Sequence, residues 1–494
     1  MDVPDLAQIA ALEMRSHGLE PDFAPAVLEQ IEIEAARPAP PTDATDIPDL
    51  RERLWFSIDN VDTLDLDQLS WTEPLAGEAV RLAVAVADVD ARVARGSAVD
   101  EHAARNTTSV YTAAGVFPML PLHLSNDLTS LRADEDRRAV VVQMDIAADG
   151  TITASQVMRA WVRNRAKLDY DTVAAWLDGE APAPLRVAPD AALQAQLRLH
   201  DDVAQRLRRW RHRRGALNVA TSQARPVFED GRLVDLRADR KNRAKDLIAD
   251  LMIAANGVTA RFLTERGQPS LRRVLQEPRR WDRLVNLAAQ HAVALPAAPD
   301  APALDAFLTA RRAADPDGFE ELSLSVVKLL GSGAYAAVGT DAAPVGHFGL
   351  AVNDYAHSTA PNRRYVDLVT QRLLKAALAQ TAAPYTLAEL ERIAAHCTAQ
   401  EDVASTVERR VLKAAGVLLL HGRIGEVFDA VVTGAAPKGT FVRITSPLVE
   451  GRVIEGAQGL DVGDRVRVRL RAVDLDQRHI DFAREVAVGR IDAA

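Results

Sequence analysis

The chemically richest part of the sequence is an acidic segment that follows a predicted strand at residues 55–58. Four aspartates lie within nine positions and are mixed with apolar residues: Asp59, Asp62, Asp65 and Asp67. Carboxylates crowded this closely repel one another unless a cation neutralises them, and hard oxygen ligands favour Mg²⁺ or Mn²⁺ over zinc. The segment therefore predicts a site for a divalent cation, with an acidic surface turn as the alternative.

A second polar segment, residues 355–368, contains the adjacent arginines Arg363 and Arg364 at the start of a predicted helix. A guanidinium can bind phosphate through two hydrogen bonds and can stabilise charge that develops in phosphoryl transfer. Alone, such a pair is more typical of structural ion pairs. Beside a divalent cation, which activates water at a phosphodiester, the arginines predict phosphoryl-transfer chemistry.

The composition of the chain excludes several classes of protein. Its 494 residues suffice for two to four domains, and no apolar run approaches the ~18 residues of a membrane span. The N-terminus lacks a secretory signal, so we expect a cytoplasmic protein without membrane contact. The single cysteine, Cys397, excludes an internal disulfide. The net charge of −10 argues only weakly against nucleic acid, because clustered cations determine phosphate affinity.

Changes in hydrophobic period divide the chain into three predicted domains of an α+β protein. Residues 1–46 contain two amphipathic helical patterns, either a helix-turn-helix-like unit or a packing element. Residues 47–423 combine strands, mainly before residue 146, with a largely helical remainder. Residues 424–494 contain five short alternating strands separated by glycine turns, which predict a small oligonucleotide-binding type of barrel.

Both polar segments occur in an order that resembles the ribonuclease II / ribonuclease R family. Further stretches match that family's catalytic RNB domain, and residues 438–442 and 462–466 match its S1 domain: the RNB matches include residues 84–89, 108–111, 118–121, 214–217 and 251–256. The resemblance covers about residues 50–380 and the C-terminal tail. It implies an RNB domain with a mixed sheet and surrounding helices, followed by an S1 barrel.

The resemblance assigns the acidic segment to catalysis. Asp59, Asp65 and Asp67 match three of the family's four active-site aspartates, which hold Mg²⁺, or Mn²⁺ as the alternative, and the attacking water. Gln68 stands at the fourth position, where its neutral amide offers a cation only one carbonyl oxygen. Arg363 matches the arginine that binds the phosphate at the cleavage site.

Substrate-binding positions follow from the same resemblance. Tyr111 matches an aromatic residue that stacks on a base, and Asp250 matches an acidic residue that contacts the terminal sugar. Arg364 is a further phosphate contact or a structural partner of the loop. In the S1 barrel we expect Phe441 to stack on bases and Lys438 to attract the backbone. Phe228 is a second candidate for stacking, and arginine-rich stretches such as residues 206–214 are candidates for lining the RNA path.

The activity implied is processive 3′-to-5′ hydrolysis of single-stranded RNA to nucleoside 5′-monophosphates by a monomer. Gln68 motivates an alternative, a catalytically silent relative that binds and protects RNA 3′ ends. A translation or transcription factor built around the S1 barrel is a third hypothesis, but it leaves the aspartates without a role.

Overall fold

The computed structural model describes the chain in several stretches, namely residues 5–37, 47–220, 223–239, 241–275, 278, 280–316, 318–340, 346–436, 439–475 and 477–485. The helices are α1 (Leu6–Ser16), α2 (Pro25–Ala36), α3 (Ala98–Asn106), α4 (Tyr170–Leu177), α5 (Ala191–His212), α6 (Arg243–Glu265), α7 (Trp281–Gln290), α8 (Ala301–Ala314), α9 (Phe319–Leu330), α10 (Tyr365–Leu378) and α11 (Leu387–Leu420). The strands are β1 (Trp55–Asp59), β2 (Gln68–Pro74), β3 (Val80–Ala87), β4 (Val110–Thr112), β5 (Gly115–Phe117), β6 (Asp136–Ile146), β7 (Ile152–Asp169), β8 (Gln223–Glu229), β9 (Arg232–Asp239), β10 (Ser270–Val274), β11 (Ala334–Val338), β12 (Val427–Ala436), β13 (Gly439–Thr445), β14 (Leu448–Glu455), β15 (Arg465–Asp474) and β16 (His479–Arg484).

The first five long strands close into a barrel in the order β1-β2-β3-β6-β7. The barrel is mixed, because β1 pairs in parallel with β7 while the other pairs are antiparallel. Strand β3 is almost continuously apolar, and every residue except Arg81 is buried, as expected of a strand covered on both faces. The predicted mixed sheet is thus confirmed, and it is closed into a barrel.

Helix α6 is the central helix of this domain. Its buried residues, including Leu251 and Ala255, join the core formed by the barrel and α10. By length and composition α6 could cross a membrane, but 61% of its apolar window is buried inside the protein. This extent of burial is typical of a helix in the core of a folded domain, and α6 lies in that core.

The C-terminal strands form a second closed barrel, in the order β12-β13-β14-β16-β15. Its core includes Val442, Val468 and Phe482. A side chain at Gly451 would place its Cβ 2.5 Å from the Phe482 ring, so close packing requires glycine there. The predicted five-stranded barrel is confirmed.

The two N-terminal helices pack on different parts of the molecule. Met14 of α1 shares a core with α11 and the second barrel, whereas Ile31 of α2 belongs to the core of the first barrel. Glu13 of α1 is bound by Arg410 of α11 and by Arg478 of the second barrel. These helices therefore join the two larger units.

Candidate active site

The acidic segment begins where β1 ends. Asp59 is the last residue of β1, and the next residues leave the barrel as a turn. Lys167 of β7 holds this turn, because its ammonium group donates hydrogen bonds to the carbonyl oxygens of Val61, at 2.9 Å, and Thr63, at 2.5 Å. The parallel pairing of β1 with β7 thus fixes the backbone of Asp59 and the course of the residues that follow it.

The second half of the segment is held by Ser130. The Ser130 hydroxyl donates to the carbonyl of Leu64 at 2.7 Å and accepts the Leu66 N–H at 3.1 Å. These bonds flank Asp65. They hold Leu64 and Leu66, one on either side of Asp65. The backbone from which the Asp65 carboxylate extends is therefore fixed, although Ser130 does not bind that carboxylate.

The arginine segment meets the acidic segment at Asp67. The N–H of Asn362 donates to Oδ1 of Asp67 at 3.0 Å, and Nε of Arg363 lies 3.6 Å from Oδ2 of the same side chain. Asp67 is buried, whereas the Arg363 side chain keeps 42% of its surface exposed. Two segments far apart in the sequence therefore meet at Asp67, and the arginine is open to a ligand.

Burial is the main cause that raises the pKa of all three aspartates. Burial raises the pKa of Asp67 to about 8, although Arg363 and the Asn362 N–H oppose the shift. Burial, with Asp65 as the second cause, raises the pKa of Asp59 to about 6. Burial also raises the pKa of Asp65. The raised pKa values follow from carboxylates that water solvates poorly, and a bound cation would favour their charged forms.

The donor set fits a divalent cation that shares its ligands with substrate. Within the described residues, no three His, Cys, Asp or Glu side chains form a ready-made ligand cluster. Mg²⁺ is commonly held by one or two carboxylates, water and substrate phosphates rather than by an all-protein cage. One or two of the desolvated carboxylates of Asp59, Asp65 and Asp67, completed by water and substrate phosphate, would match that arrangement. Gln68, predicted as a ligand, donates its side-chain N–H to the Thr359 carbonyl.

Tyr111 is an aromatic side chain that lies at this site. Its side chain is 46% exposed, while burial by surrounding protein raises the pKa of its phenol to about 12 and a hydrogen bond with Arg363 opposes that shift. The negative charges of Asp65 and Asp67 also raise the pKa of this phenol. Tyr111 therefore lines a recess beside the acidic segment and is open to solvent on one side, as a stacking residue must be.

Arg364 has a different environment from Arg363. Its guanidinium makes two hydrogen bonds with the fully buried Asp367, at 2.7 and 2.8 Å. Asp367 also accepts the N–H of Ala360 at 2.9 Å. Arg364 thus stabilises the loop and the start of α10. This geometry favours the structural role for Arg364, and a phosphate contact stays a prediction.

Asp250 is likewise bound within the protein. It is 3% exposed, and its two carboxylate oxygens bond to Arg208 and Arg211 of α5. This geometry does not support direct contact between Asp250 and a sugar. The predicted sugar contact therefore stays a prediction. In the 206–214 stretch, Arg208 binds Asp246 and Asp250 of α6 and Arg211 binds Asp250, whereas Arg206 binds Asp202 within α5. Arg209, Arg213 and Arg214 are exposed, so an RNA path along this stretch stays a prediction.

In the second barrel, Phe441 is partly buried on β13 and lies opposite Arg452 of β14. Arg443, on the same strand, faces Glu320 and Glu321 of α9 at 3.8 and 3.6 Å. Lys438 lies outside the described residues. Stacking by Phe441 and attraction by Lys438 stay predictions.

Three residues of the site escaped the sequence analysis. Lys167 and Ser130 position the acidic segment, and Tyr170 lies close enough to Asp59 and Arg363 for both to influence its titration. Lys167 and Tyr170 flank the end of β7, which runs parallel to β1. Only that pairing, which no local pattern indicates, brings them beside Asp59.

Comparison with known proteins agrees with this architecture. The RNB domain matches residues 47–380, and the RNase II-type exonuclease C-terminal S1 domain matches residues 426–485. The chain therefore belongs to the RNB-domain family and carries that family's S1 domain at its C-terminus. This confirms the resemblance on which the sequence analysis relied.

Individual relatives support the same assignment. The chain is 28% identical to Ribonuclease R of Escherichia coli over 507 aligned residues, which cover 96% of this chain and 61% of that protein. It therefore spans less than two thirds of that relative. The structure of Mycoplasma genitalium RNase R in complex with ribose-methylated single-stranded RNA has a TM-score of 0.86 at 22% identity, covering 97% of this chain and 78% of that one. Yeast Ssd1, described as a pseudonuclease, has a TM-score of 0.71 at 16% identity, covering 96% of this chain and 59% of that one.

Proposed function

We propose that this protein is a 3′-to-5′ exoribonuclease that hydrolyses single-stranded RNA processively to nucleoside 5′-monophosphates. The observation that carries the proposal is the approach of Arg363 to Asp67 inside a desolvated group of three aspartates. Anionic and cationic groups placed this way suit a phosphodiester, whose negative charge grows in the transition state. The Ribonuclease R relatives support the direction and the substrate.

The proposed roles of the site residues follow from their charge and exposure. Asp59, Asp65 and Asp67 would hold Mg²⁺, or Mn²⁺ as the alternative, which when bound activates water for attack on phosphorus. Asp67 is buried and fixed by the Asn362 N–H, so it gives the ligand set a rigid member. Arg363 is half-exposed and is free to bind the scissile phosphate from the solvent side.

RNA would be bound mainly by stacking and by contacts to its backbone. Tyr111 presents an exposed ring beside Arg363, and stacking of a base on an aromatic residue is tolerant of sequence. We assign residues 47–423 to catalysis and residues 424–494, with Phe441 and Lys438, to capture of the strand. The helices of residues 1–46 contact both units, so we assign them the role of fixing one against the other.

A catalytically silent, RNA-protecting protein is the second candidate. Gln68 replaces one of four aspartates, and the likeness to the pseudonuclease Ssd1 means that the fold alone does not establish catalysis. The two candidates differ in chemistry but share RNA as partner. We expect both to be monomeric and cytoplasmic.

One gel experiment separates these candidates. Single-stranded RNA carrying a 5′ label is incubated with the full chain and Mg²⁺, and the products are resolved by length. The proposed function predicts labelled fragments that shorten from the 3′ end to a short limit product, with release of unlabelled 5′-monophosphates. Immediate release of a labelled mononucleotide would indicate the opposite direction. Retained RNA binding without products would indicate the silent relative.

A further inference from the structure

The side chain of Gln68 joins two segments of the active site. Gln68 is the first residue of β2, and its Nε2 donates a hydrogen bond to the carbonyl oxygen of Thr359. A carbonyl oxygen can only accept, so the nitrogen of the amide must face it. A carboxylate at position 68 would have no hydrogen to donate and would repel that carbonyl.

The preceding residue binds the same loop. Asp67 accepts the N–H of Asn362 at 3.0 Å, three positions after Thr359 and directly before Arg363. Elsewhere the loop is attached to other parts of the domain. The Ser358 hydroxyl donates to Asn256 at 2.8 Å, the Thr129 hydroxyl donates to Oδ1 of Asn362 at 2.6 Å, and the Ser109 N–H donates to the Arg363 carbonyl at 3.0 Å. Among the hydrogen bonds of the described residues, those of Asp67 and Gln68 join this loop to the acidic segment.

We propose that Gln68 is a positioning residue, which holds the 359–363 loop against the acidic segment and thereby sets the distance between Arg363 and Asp67. The loop engages the nitrogen end of its amide, so the hydrogen bond to Thr359 assigns the side chain to the loop rather than to a cation. The carboxylates left for a cation are those of Asp59, Asp65 and Asp67. The role of Gln68 in catalysis depends on the proposed function, whereas its hydrogen bond between the two segments does not.

Three substitutions isolate the role of the amide. Gln68→Glu keeps the length of the side chain but exchanges its N–H donor for oxygen, and Gln68→Met keeps the length without donor or charge. Asn60→Asp is the matched control, because it adds a carboxylate at an exposed position of the same segment and leaves the Thr359 bond intact. Thermal unfolding of each variant verifies that it folds.

The first measurement is hydrogen exchange of the peptide that contains residues 359–364, in metal-free protein. We expect exchange at Asn362 to accelerate about fivefold to tenfold in Gln68→Met and Gln68→Glu, as loss of one hydrogen bond implies. Asn60→Asp should exchange like the wild type. Unchanged exchange in both Gln68 variants would overturn the proposal.

The second measurement is the affinity for Mn²⁺. It is determined by electron paramagnetic resonance, in which the free ion gives the signal. A positioning role predicts that Gln68→Glu binds Mn²⁺ no more tightly than the wild type. Tenfold tighter binding would show that position 68 reaches the cation, and it would overturn the proposal. Neither measurement requires turnover, so a wild-type protein that failed to degrade RNA would refute the proposed function and leave this test intact.

Discussion

Arg363 lies with its Nε 3.6 Å from Oδ2 of Asp67, and this approach brings together two segments far apart in the sequence. Asp67 is buried and the guanidinium is half-exposed, so one partner is fixed and the other can reach a ligand. In the absence of bound cation and RNA, the arginine partly compensates the charge of the acidic segment. A phosphate that arrives with its cation would meet both partners already in place.

Asp67→Asn is expected to lower turnover of single-stranded RNA by roughly 100-fold or more, because a neutral amide weakens the cation site on which activation of water depends. RNA affinity measured without a divalent ion should change less than about threefold. The amide oxygen can still accept the Asn362 N–H, so the fold is retained. Turnover equal to that of the wild type would show that the reaction occurs elsewhere.

The stability of the metal-free protein should fall as pH rises, and Asp67 should account for part of the fall. Its pKa rises from 3.8 in the unfolded chain to about 8 in the folded protein, so the folded state retains a proton that the unfolded state releases. The loss begins near pH 4 and is complete above pH 8.

Denaturant unfolding of the wild type and Asp67→Asn, in chelator, measures this effect. The variant should be less sensitive to pH across that interval, and the two proteins should converge in acid, where Asp67 is protonated in both states. Parallel pH profiles would contradict the assigned burial of a titrating Asp67.

Replacing the two arginines by methionine should have opposite consequences. Arg364→Met leaves the buried Asp367 without its partner and should cost about 3 kcal/mol of unfolding free energy. Arg363→Met should change stability by less than about 1 kcal/mol but should reduce kcat strongly. Denaturant unfolding combined with steady-state kinetics tests both halves. A severe loss of stability in Arg363→Met would place that residue in the scaffold.

Tyr111→Ala is expected to change the length of the final oligonucleotide, because loss of stacking removes roughly 1 to 3 kcal/mol of binding per base. The matched control is Tyr111→Phe, which retains the ring and should leave the limit product unchanged. High-resolution gels of exhaustively digested RNA provide the readout. Identical limit products from all three proteins would exclude stacking by Tyr111.

Asp250→Asn is expected to act on stability rather than on sugar selectivity. It removes a buried negative charge from between Arg208 and Arg211, and the cost should be about 3 kcal/mol. The ratio of activity on an RNA to activity on its 2′-deoxy-terminated form should stay within about twofold of the wild type. A large change in that ratio in stable protein would restore the role in sugar contact.

The sequence predicted the chemistry of the site better than its scaffold. Asp59, Asp65, Asp67 and Arg363 carry a local pattern of charges that indicates function wherever the chain places them. Lys167 and Ser130 carry no such pattern, because their roles arise from contacts that only the closed barrel creates. Their hydrogen bonds go to backbone carbonyls and N–H groups, which every residue possesses.

The arginine-rich stretch on α5 shows that one charge cluster can contain both internal ion pairs and exposed side chains. Its composition fits an RNA path, but Arg208 and Arg211 face α6 once α5 is folded, and their counterions come from that helix. The hairpin of β8 and β9, in a stretch predicted as largely helical, was also missed. The partner of α5 depends on which helix faces it in the fold, and no local pattern in the sequence indicates that choice.

The most direct test of the account is a crystal of Asp67→Asn with bound RNA and Mn²⁺, in which anomalous scattering locates the ion. The proposed site predicts an ion between Asp59, Asp65 and the terminal phosphodiester, with Arg363 bound to the same phosphate. An ion or a terminal phosphate at another position, with Arg363 turned away from the RNA, would contradict it.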